Sequence, residues 1–225
     1  MINNGLPVLP DPIKGVFFDM DGVLYDSMGA HADAWSLAFH FFGFDFSPEM
    51  VYRNEGRTAQ STINLVFQQE KNRDATEQEI EEIYSKKTEI IADFPEAVAF
   101  DGVLSLMKKL SERSVSIWVV TGSSQDKFLN ALLEDFSGYV DKSRIITGQD
   151  VQHGKPHPEP YLMALKRSGL ASHEVVVIEN APLGIQSAKG AGIFTIAVNT
   201  GILDDQVLWD SGADQVYKNM LELTF

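Results

Sequence analysis

The sequence predicts an α/β fold, a doubly wound parallel sheet with an all-helical unit inserted after its first strand. Three observations predict it: short apolar runs that do not alternate with polar residues, helical patterns between those runs, and one long stretch that carries helical periodicity alone. A strand covered on both faces reads as a continuous apolar run because neither face meets water. Strand and helix in alternation then wind a parallel sheet.

The apolar runs fall at 15–19, 117–120, 175–178 and 193–198, with a weaker one at 144–147. Helical patterns lie between them at 103–113, 127–136, 158–168 and 183–190. The first residues, MINNGLPVLPDPIKG, are Pro-rich and not apolar enough for a signal peptide, and read as a loose arm. From 28 to 94 the strand signal vanishes. Ala34, Trp35, Ala38, Phe39 and Phe42 repeat at helical spacing, and Ile63, Val66 and Phe67 do so again. Ile80, Ile83, Tyr84, Lys87, Ile90 and Ile91 form a third set, opened by Thr76 and Glu79 as a capping box. The expected division is a core of residues 1–27 and 95–225 and a helical cap of residues 28–94. Phe39, Phe41, Phe42, Phe44 and Phe46 read as the interior of that cap.

A chain of 225 residues suffices for one large domain with an insert. The absence of cysteine excludes disulfides, zinc–thiolate sites and cysteine catalysis. Eighteen Lys and Arg against 32 Asp and Glu give a net charge of −14, which argues against a nucleic-acid partner. A small anionic substrate stays open, since a few cations and a metal reverse the field inside a cleft. No apolar run approaches the roughly 18 residues of a membrane span. A cytoplasmic monomer, with no nucleic-acid or membrane partner, is the expectation.

Ligands of an open parallel sheet bind beyond the carboxyl ends of its strands. Here those ends carry Asp19-Met20-Asp21-Gly22, Thr121-Gly122-Ser123 and Glu179-Asn180-Ala181-Pro182, and Gly154-Lys155-Pro156 precedes a helix. Each has a use in phosphoryl transfer, where catalysis is mostly positioning and charge neutralisation. Asp19 can act as nucleophile and Asp21 can reach the leaving oxygen. Mg²⁺ takes hard oxygen ligands, which Asp19, the Asp21 carbonyl and Asn180 could supply. Thr121 and the amides beside it can hold phosphate oxygens, and Lys155 can offset their charge. Singly, each motif has a plainer reading: a turn, a helix N-cap, a surface loop. Their joint order at successive strand ends points to one site.

With these residues the chain resembles the haloacid dehalogenase phosphotransferase superfamily, in the β-phosphoglucomutase-like subgroup with a Rossmann-like core and a helical cap. FFDMDGVLYDS, VVTGS, GKPHPEPY and VIENAPLGI match its four motifs in order. The resemblance implies Mg²⁺ as cofactor, Asp19 as nucleophile and Asp21 as acid/base. It also implies phosphoryl binding by Thr121 and Lys155, beside the Gly122 and Ser123 amides, and a metal site including Glu179 and Asn180.

Two departures bear on the substrate. Asn180 stands where the superfamily usually has aspartate, so charge must come from elsewhere, with Glu179 and Glu55 as sources. The mutase cap loop has the form Lys-Gly-x-Ser-Arg, its arginine gripping a distal phosphate; this chain reads Glu55-Gly56-Arg57-Thr58-Ala59. A bidentate clamp is hard to replace, although Arg57 is a candidate substitute and His31 and Trp35 resemble the mutase pattern. Glu-Gly-Arg-Thr and Glu-Asn-Ala-Pro-Leu-Gly are similar to a set of bacterial β-phosphoglucomutase-like proteins that hydrolyse inorganic pyrophosphate. That resemblance implies that Glu55 reaches the metal across the cleft and that Lys87 neutralises the distal phosphate. The plainer alternatives are a solvated loop carboxylate for Glu55 and a charged helix face for the Lys86-Lys87 pair. His153 and His157 read as loop residues. The leading expectation is a pyrophosphate-cleaving phosphohydrolase, with β-phosphoglucomutase second and a non-catalytic phosphate-binding module third.

Overall fold

The five apolar runs and one further short strand align as one sheet. A computed structural model describes residues 2–3, 6–7, 9–123 and 125–223. Two-residue strands β1 (Ile2–Asn3) and β2 (Leu6–Pro7) pair antiparallel in the N-terminal arm, which otherwise lies partly outside the described residues. The main sheet contains β3 (Gly15–Phe18), β4 (Ser116–Val120), β5 (Ile145–Ile146), β6 (Val175–Glu179), β7 (Phe194–Val198) and β8 (Gln215–Tyr217). Its strands are all parallel, in the order β5-β4-β3-β6-β7-β8. The chain builds outward from β3 to β5 on one side, then returns to β6 on the other. That reversal opens a crevice at the strand ends, where ligands of such sheets bind.

The period of two along each strand separates the sheet's faces. Val16, Phe18, Ile117, Val119, Val176 and Ile178 join one cluster, with residues of α5 (Val103–Glu112) and α6 (Asp126–Asp135). Phe17, Trp118, Val120, Val175 and Val177 join another, with residues of α7 (Glu159–Ser168) and α8 (Pro182–Gly190). Both faces are covered, so both sets of side chains are apolar, as the unbroken runs predict.

Between β3 and α5 the chain forms α1 (Met28–Phe41), α2 (Pro48–Arg53), α3 (Ala59–Lys71) and α4 (Glu77–Ala92). Thr76 and Glu79 make the expected capping box: the Thr76 hydroxyl accepts from the Glu79 amide and the Glu79 carboxylate from the Thr76 amide. Phe39, Phe44 and Phe46 are buried with Ile63, Val66, Phe67 and Ile83. Phe41 differs from expectation: it is 66% exposed, with the Lys86 ammonium over its ring. It sits two positions from Phe39 in a helix, so the two rings cannot share a face.

Three short elements were not anticipated. α2 has six residues and β8 three, while α9 (Asp205–Asp210) adds another six, all too brief for periodicity to register. Leu203 and Val207, around the start of α9, pack into the cluster formed by the four inserted helices. Among the described residues no helix is long and apolar enough to cross a membrane.

Phe17 is fully buried and packs against Trp118, their ring centroids 6.1 Å apart. Phe17→Ala is expected to cost about 3–5 kcal/mol, read in urea as a lower midpoint with unchanged slope.

Candidate active site

Strand register brings the site together. Phe18 pairs with Val119 and with Ile178, so β3, β4 and β6 reach the crevice at one level. The next residue of β3 is Asp19, whose amide donates to the Ile178 carbonyl at 3.0 Å. Its carboxylate thereby stands between the ends of both neighbouring strands. The chain then turns through Asp21 and Gly22. Gly22 has φ +79°, and a Cβ there would lie 2.0 Å from Asn180 Nδ2. Asp21 Oδ1 accepts a 2.6 Å hydrogen bond from the Ser27 hydroxyl.

Thr121 follows β4 and is buried, its amide bonded to the Ile146 carbonyl at 2.9 Å. Its hydroxyl oxygen accepts from the Ser123 amide at 3.0 Å. Gly122 lies against the cap, where an added Cβ would stand 3.3 Å from the Gly56 carbonyl oxygen. Lys155 enters from the loop before α7. Its ammonium donates to Asp19 Oδ1, to Glu179 Oε1 at 2.6 Å and to the Val120 carbonyl at 3.2 Å.

Of the two roles the sequence leaves open for Glu179, metal ligand or support for one, its hydrogen bonds favour the second. Its Oε1 accepts from Lys155 and from the Tyr161 hydroxyl at 2.8 Å. Its Oε2 accepts from the amides of Asn180 and Ala181, at 3.1 and 3.3 Å. A carboxylate has about four lone-pair directions, and these four donors fill them. α8 must pass close to this side chain: a Cβ at Gly184 would lie 1.9 Å from Glu179 Oε1. Glu179 therefore anchors Lys155.

The inserted helices supply the other wall. Glu55 Oε2 accepts from Asn180 Nδ2 at 3.0 Å, so this carboxylate faces the strand ends and is not solvated on the cap loop. Lys87 is only 3% exposed, which removes the reading of a charged outer face. Its ammonium lies 3.2 Å from His31 Nδ1. Because an ammonium only donates, Nδ1 is assigned as the acceptor and Nε2 carries the proton. His31 Nε2 is 3.7 Å from Asp21 Oδ1. Burial lowers the His31 pKa, Asp21 opposing and Lys87 adding to the effect, so the ring is neutral. Arg57 lines the same cavity, with Nε on Asn54 Oδ1 and Nη1 on Ser61 Oγ, both at 3.1 Å. The cavity measures about 130 Å³. His153 and His157 lie on the exposed surface beside Glu159, away from these groups.

Four carboxylates, Asp19, Asp21, Glu55 and Glu179, act on one another around the Lys155 ammonium. Burial pushes the Asp19 carboxyl up to about 7 against the pull of Lys155, and the charges of Glu179 and Asp21 add to the rise. Burial, then the charges of Asp19, Glu179 and Asp21, hold Glu55 well above its ordinary value. Burial opposes the charge on Lys155, but Asp19 and Glu179 outweigh it and keep the ammonium protonated. The site is therefore short of positive charge. Asn180 Oδ1 and Glu55 Oε1 are also buried without a hydrogen-bond partner. Orphaned acceptors of this kind are costly. A hard dication suits this set of oxygen donors, which Asp19, the Asp21 carbonyl, Asn180 Oδ1 and Glu55 could offer it.

The sequence reading did not place Tyr161, Ser27, Tyr84 or Gln125 at the site. Tyr161 sits in the GKPHPEPY segment, but only the fold carries its hydroxyl to Glu179. Lys155→Met would leave the Asp19 carboxylate buried without its cation and remove one of four donors from Glu179, at an expected cost of about 3–5 kcal/mol near neutral pH. Burial raises Asp19, and without Lys155 to oppose it the native variant binds a proton there more readily than the unfolded chain, so the cost should shrink as pH falls from neutral towards the ordinary carboxylate range. Urea unfolding across that range checks the sign.

A profile of haloacid dehalogenase-like hydrolases matches residues 16–198. A solved chain from Bacteroides vulgatus, provisionally named a β-phosphoglucomutase, is 48% identical, with a TM-score of 0.90 over 93% of this chain and 85% of that one. Hexitol phosphatase A of Escherichia coli K12 is 31% identical over 189 residues, 83% of each chain. Pyrophosphatase PpaX of Oceanobacillus iheyensis is 26% identical over 215 residues, 94% of this chain and 95% of that protein. The chain belongs to the haloacid dehalogenase-like hydrolase family and is a phosphoryl-transfer enzyme.

Proposed function

We propose that this enzyme is a Mg²⁺-dependent phosphohydrolase that works through an aspartyl-phosphate on Asp19 and cleaves inorganic pyrophosphate. The observation that carries the substrate is Lys87. Its ammonium is buried at the cavity and, among the described residues, has no carboxylate within salt-bridge distance. Burial lowers its pKa to about 8, a shift that Asp21 only partly opposes. A substrate with a second anionic group would neutralise it, and pyrophosphate has one.

In this reading an Asp19 oxygen attacks phosphorus and the bond to the leaving phosphate breaks, while Asp21 gives a proton to the leaving oxygen. Asp21 then accepts a proton from the water that attacks the aspartyl-phosphate, which releases Asp19. Ser27 and His31 orient Asp21. Lys155, Thr121 and the amides of Gly122 and Ser123 hold the transferring group, with Arg57 at the cavity edge. Asp19, the Asp21 carbonyl, Asn180 and Glu55 would hold Mg²⁺, which when bound neutralises and orients phosphoryl oxygens. Glu179 serves them by keeping Lys155 in place.

The similarity to the B. vulgatus chain and the apolar lining by Met28, Trp35 and Phe128 favour β-phosphoglucomutase as the second reading. Against it, Ala59 stands where the mutase cap loop has arginine, and Glu55 where it has lysine. Glucose 1,6-bisphosphate should then fail to support conversion of β-glucose 1-phosphate, while pyrophosphate releases phosphate. The opposite outcome selects the mutase.

Asp19→Asn should abolish phosphate release from every substrate, and retained turnover would rule out the aspartyl-phosphate. Glu55→Ala should move the Mg²⁺ titration midpoint upward; an unmoved midpoint removes Glu55 from the ligand set. The KM for pyrophosphate should rise as pH passes upward through about 8, where free Lys87 loses its proton. Lys87→Met should raise KM at lower pH and flatten that rise, as steady-state kinetics at several pH values will read.

A further inference from the structure

Among the described residues, two side-chain hydrogen bonds join the four inserted helices to the sheet unit. One is Asn180 Nδ2 to Glu55 Oε2. The other runs from Gln125 Nε2 to the Tyr84 hydroxyl at 2.7 Å, and it alone ties α4 to the core. Gln125 is the residue before α6 and follows the Thr121–Ser123 loop at one end of the cavity. Tyr84 precedes Lys87 by three positions on α4, so the two share a helix face. Both also lie beside the Trp35 ring: the Tyr84 ring at 6.4 Å between centroids, the Lys87 ammonium at 5.7 Å. One turn into α6, Phe128 meets the cap's His31 ring at 6.2 Å. The first turn of α6 is therefore seated against the wall that presents Lys87.

We infer that the Tyr84–Gln125 hydrogen bond is a clasp that determines substrate size, because it fixes the spacing between the Thr121–Ser123 loop and the Lys87 ammonium. The inference rests on the proposed anion site at Lys87. The clasp holds α4 at the depth that suits a compact substrate with charge at both ends. A bulkier leaving group fits only if α4 swings away, and that movement breaks the bond and withdraws Lys87. Tyr84 and Gln125 are thus positioning residues that need no contact with the reacting atoms.

The test compares the full-length enzyme with Tyr84→Phe, Gln125→Ala and the double variant. Released phosphate gives kcat/KM for pyrophosphate, glycerol 1-phosphate and a hexose 6-phosphate. Tyr84→Phe keeps the ring against Trp35, so it isolates the hydroxyl; thermal melts confirm that each variant is folded, and the phenylalanine variant carries the test if Gln125→Ala is not. Each single change should lower the preference for small over large substrate by about two- to tenfold, the worth of one ordinary hydrogen bond. The loss should appear as a higher KM for the small substrate and a lower one for the large. The double variant should lose no more than either single one, since both break the same bond. An unchanged preference, or additive losses in the double variant, overturns the clasp. If the unmodified enzyme turns over the esters but not pyrophosphate, the pyrophosphate reading fails on its own. The ratio of glycerol 1-phosphate to hexose 6-phosphate then decides the clasp by the same criterion.

Discussion

A single buried ammonium organises this molecule. Lys155 reaches the strand ends from the loop before α7 and bridges Asp19 and Glu179. Burying one charge in a protein interior is expensive, and leaving one of its partners unpaired is more so. The arrangement holds only because β3 and β6 run parallel in register, which places the two carboxylates side by side. Its surroundings serve it closely. Tyr161 and two backbone amides complete the coordination of Glu179, α8 brings Gly184 where any side chain would collide, and the Val120 carbonyl takes a further ammonium proton. The carboxyl face of the sheet is thus a charged cluster on an apolar platform.

That cluster carries more negative than positive charge, and the closing helices add to it rather than relieve it. Glu55 enters as a further carboxylate. Its approach is tolerated because residue 180 is an amide: Nδ2 donates to Glu55, whereas an aspartate would set two carboxylates about 3 Å apart. The same amide leaves Oδ1 buried and unpartnered at the site. Asn180 and Glu55 are best understood as a pair, in which the negative charge has moved from the sheet to the cap. A metal gripped from both sides would couple cap position to metal binding, and Lys87 would couple it to the far end of the substrate.

Much of the fold was legible because strands covered on both faces leave an unbroken apolar signature. Val175 to Ile178 could hardly be anything else. The capping box at Thr76 and Glu79 was equally plain, since its partners are three residues apart. The six-residue helices α2 and α9 and the three-residue strand β8 were not, because less than two turns of helix, or three strand residues, set no period. Phe41 was misplaced for a related reason: adjacent aromatics look alike in composition, and only their angular position on α1 separates the buried ring from the exposed one. At the site, Asp19, Asp21, Thr121 and Asn180 were legible as polar residues at strand ends, and Lys155 as the cation of the loop before α7. The role of Glu179 was not, since whether a carboxylate has a free lone pair depends on every donor around it.

The sequence by itself determined the layered sheet, the place of the helical insertion, and the strand ends that carry the chemistry. These follow from local rules: alternation, periodicity and spacing along one chain. Only the tertiary structure decided which charges meet. Spacing alone leaves Lys87 open as one of two solvated lysines until α1 and α4 pack, when it becomes a buried cation beside His31. Glu55 reads as a loop carboxylate until it meets Asn180, 125 residues further along the chain. Nothing in the sequence points to the contact between Tyr84 and Gln125 until they touch. Desolvation and pairing are properties of the surroundings of a side chain, and those surroundings do not exist until distant segments are brought together.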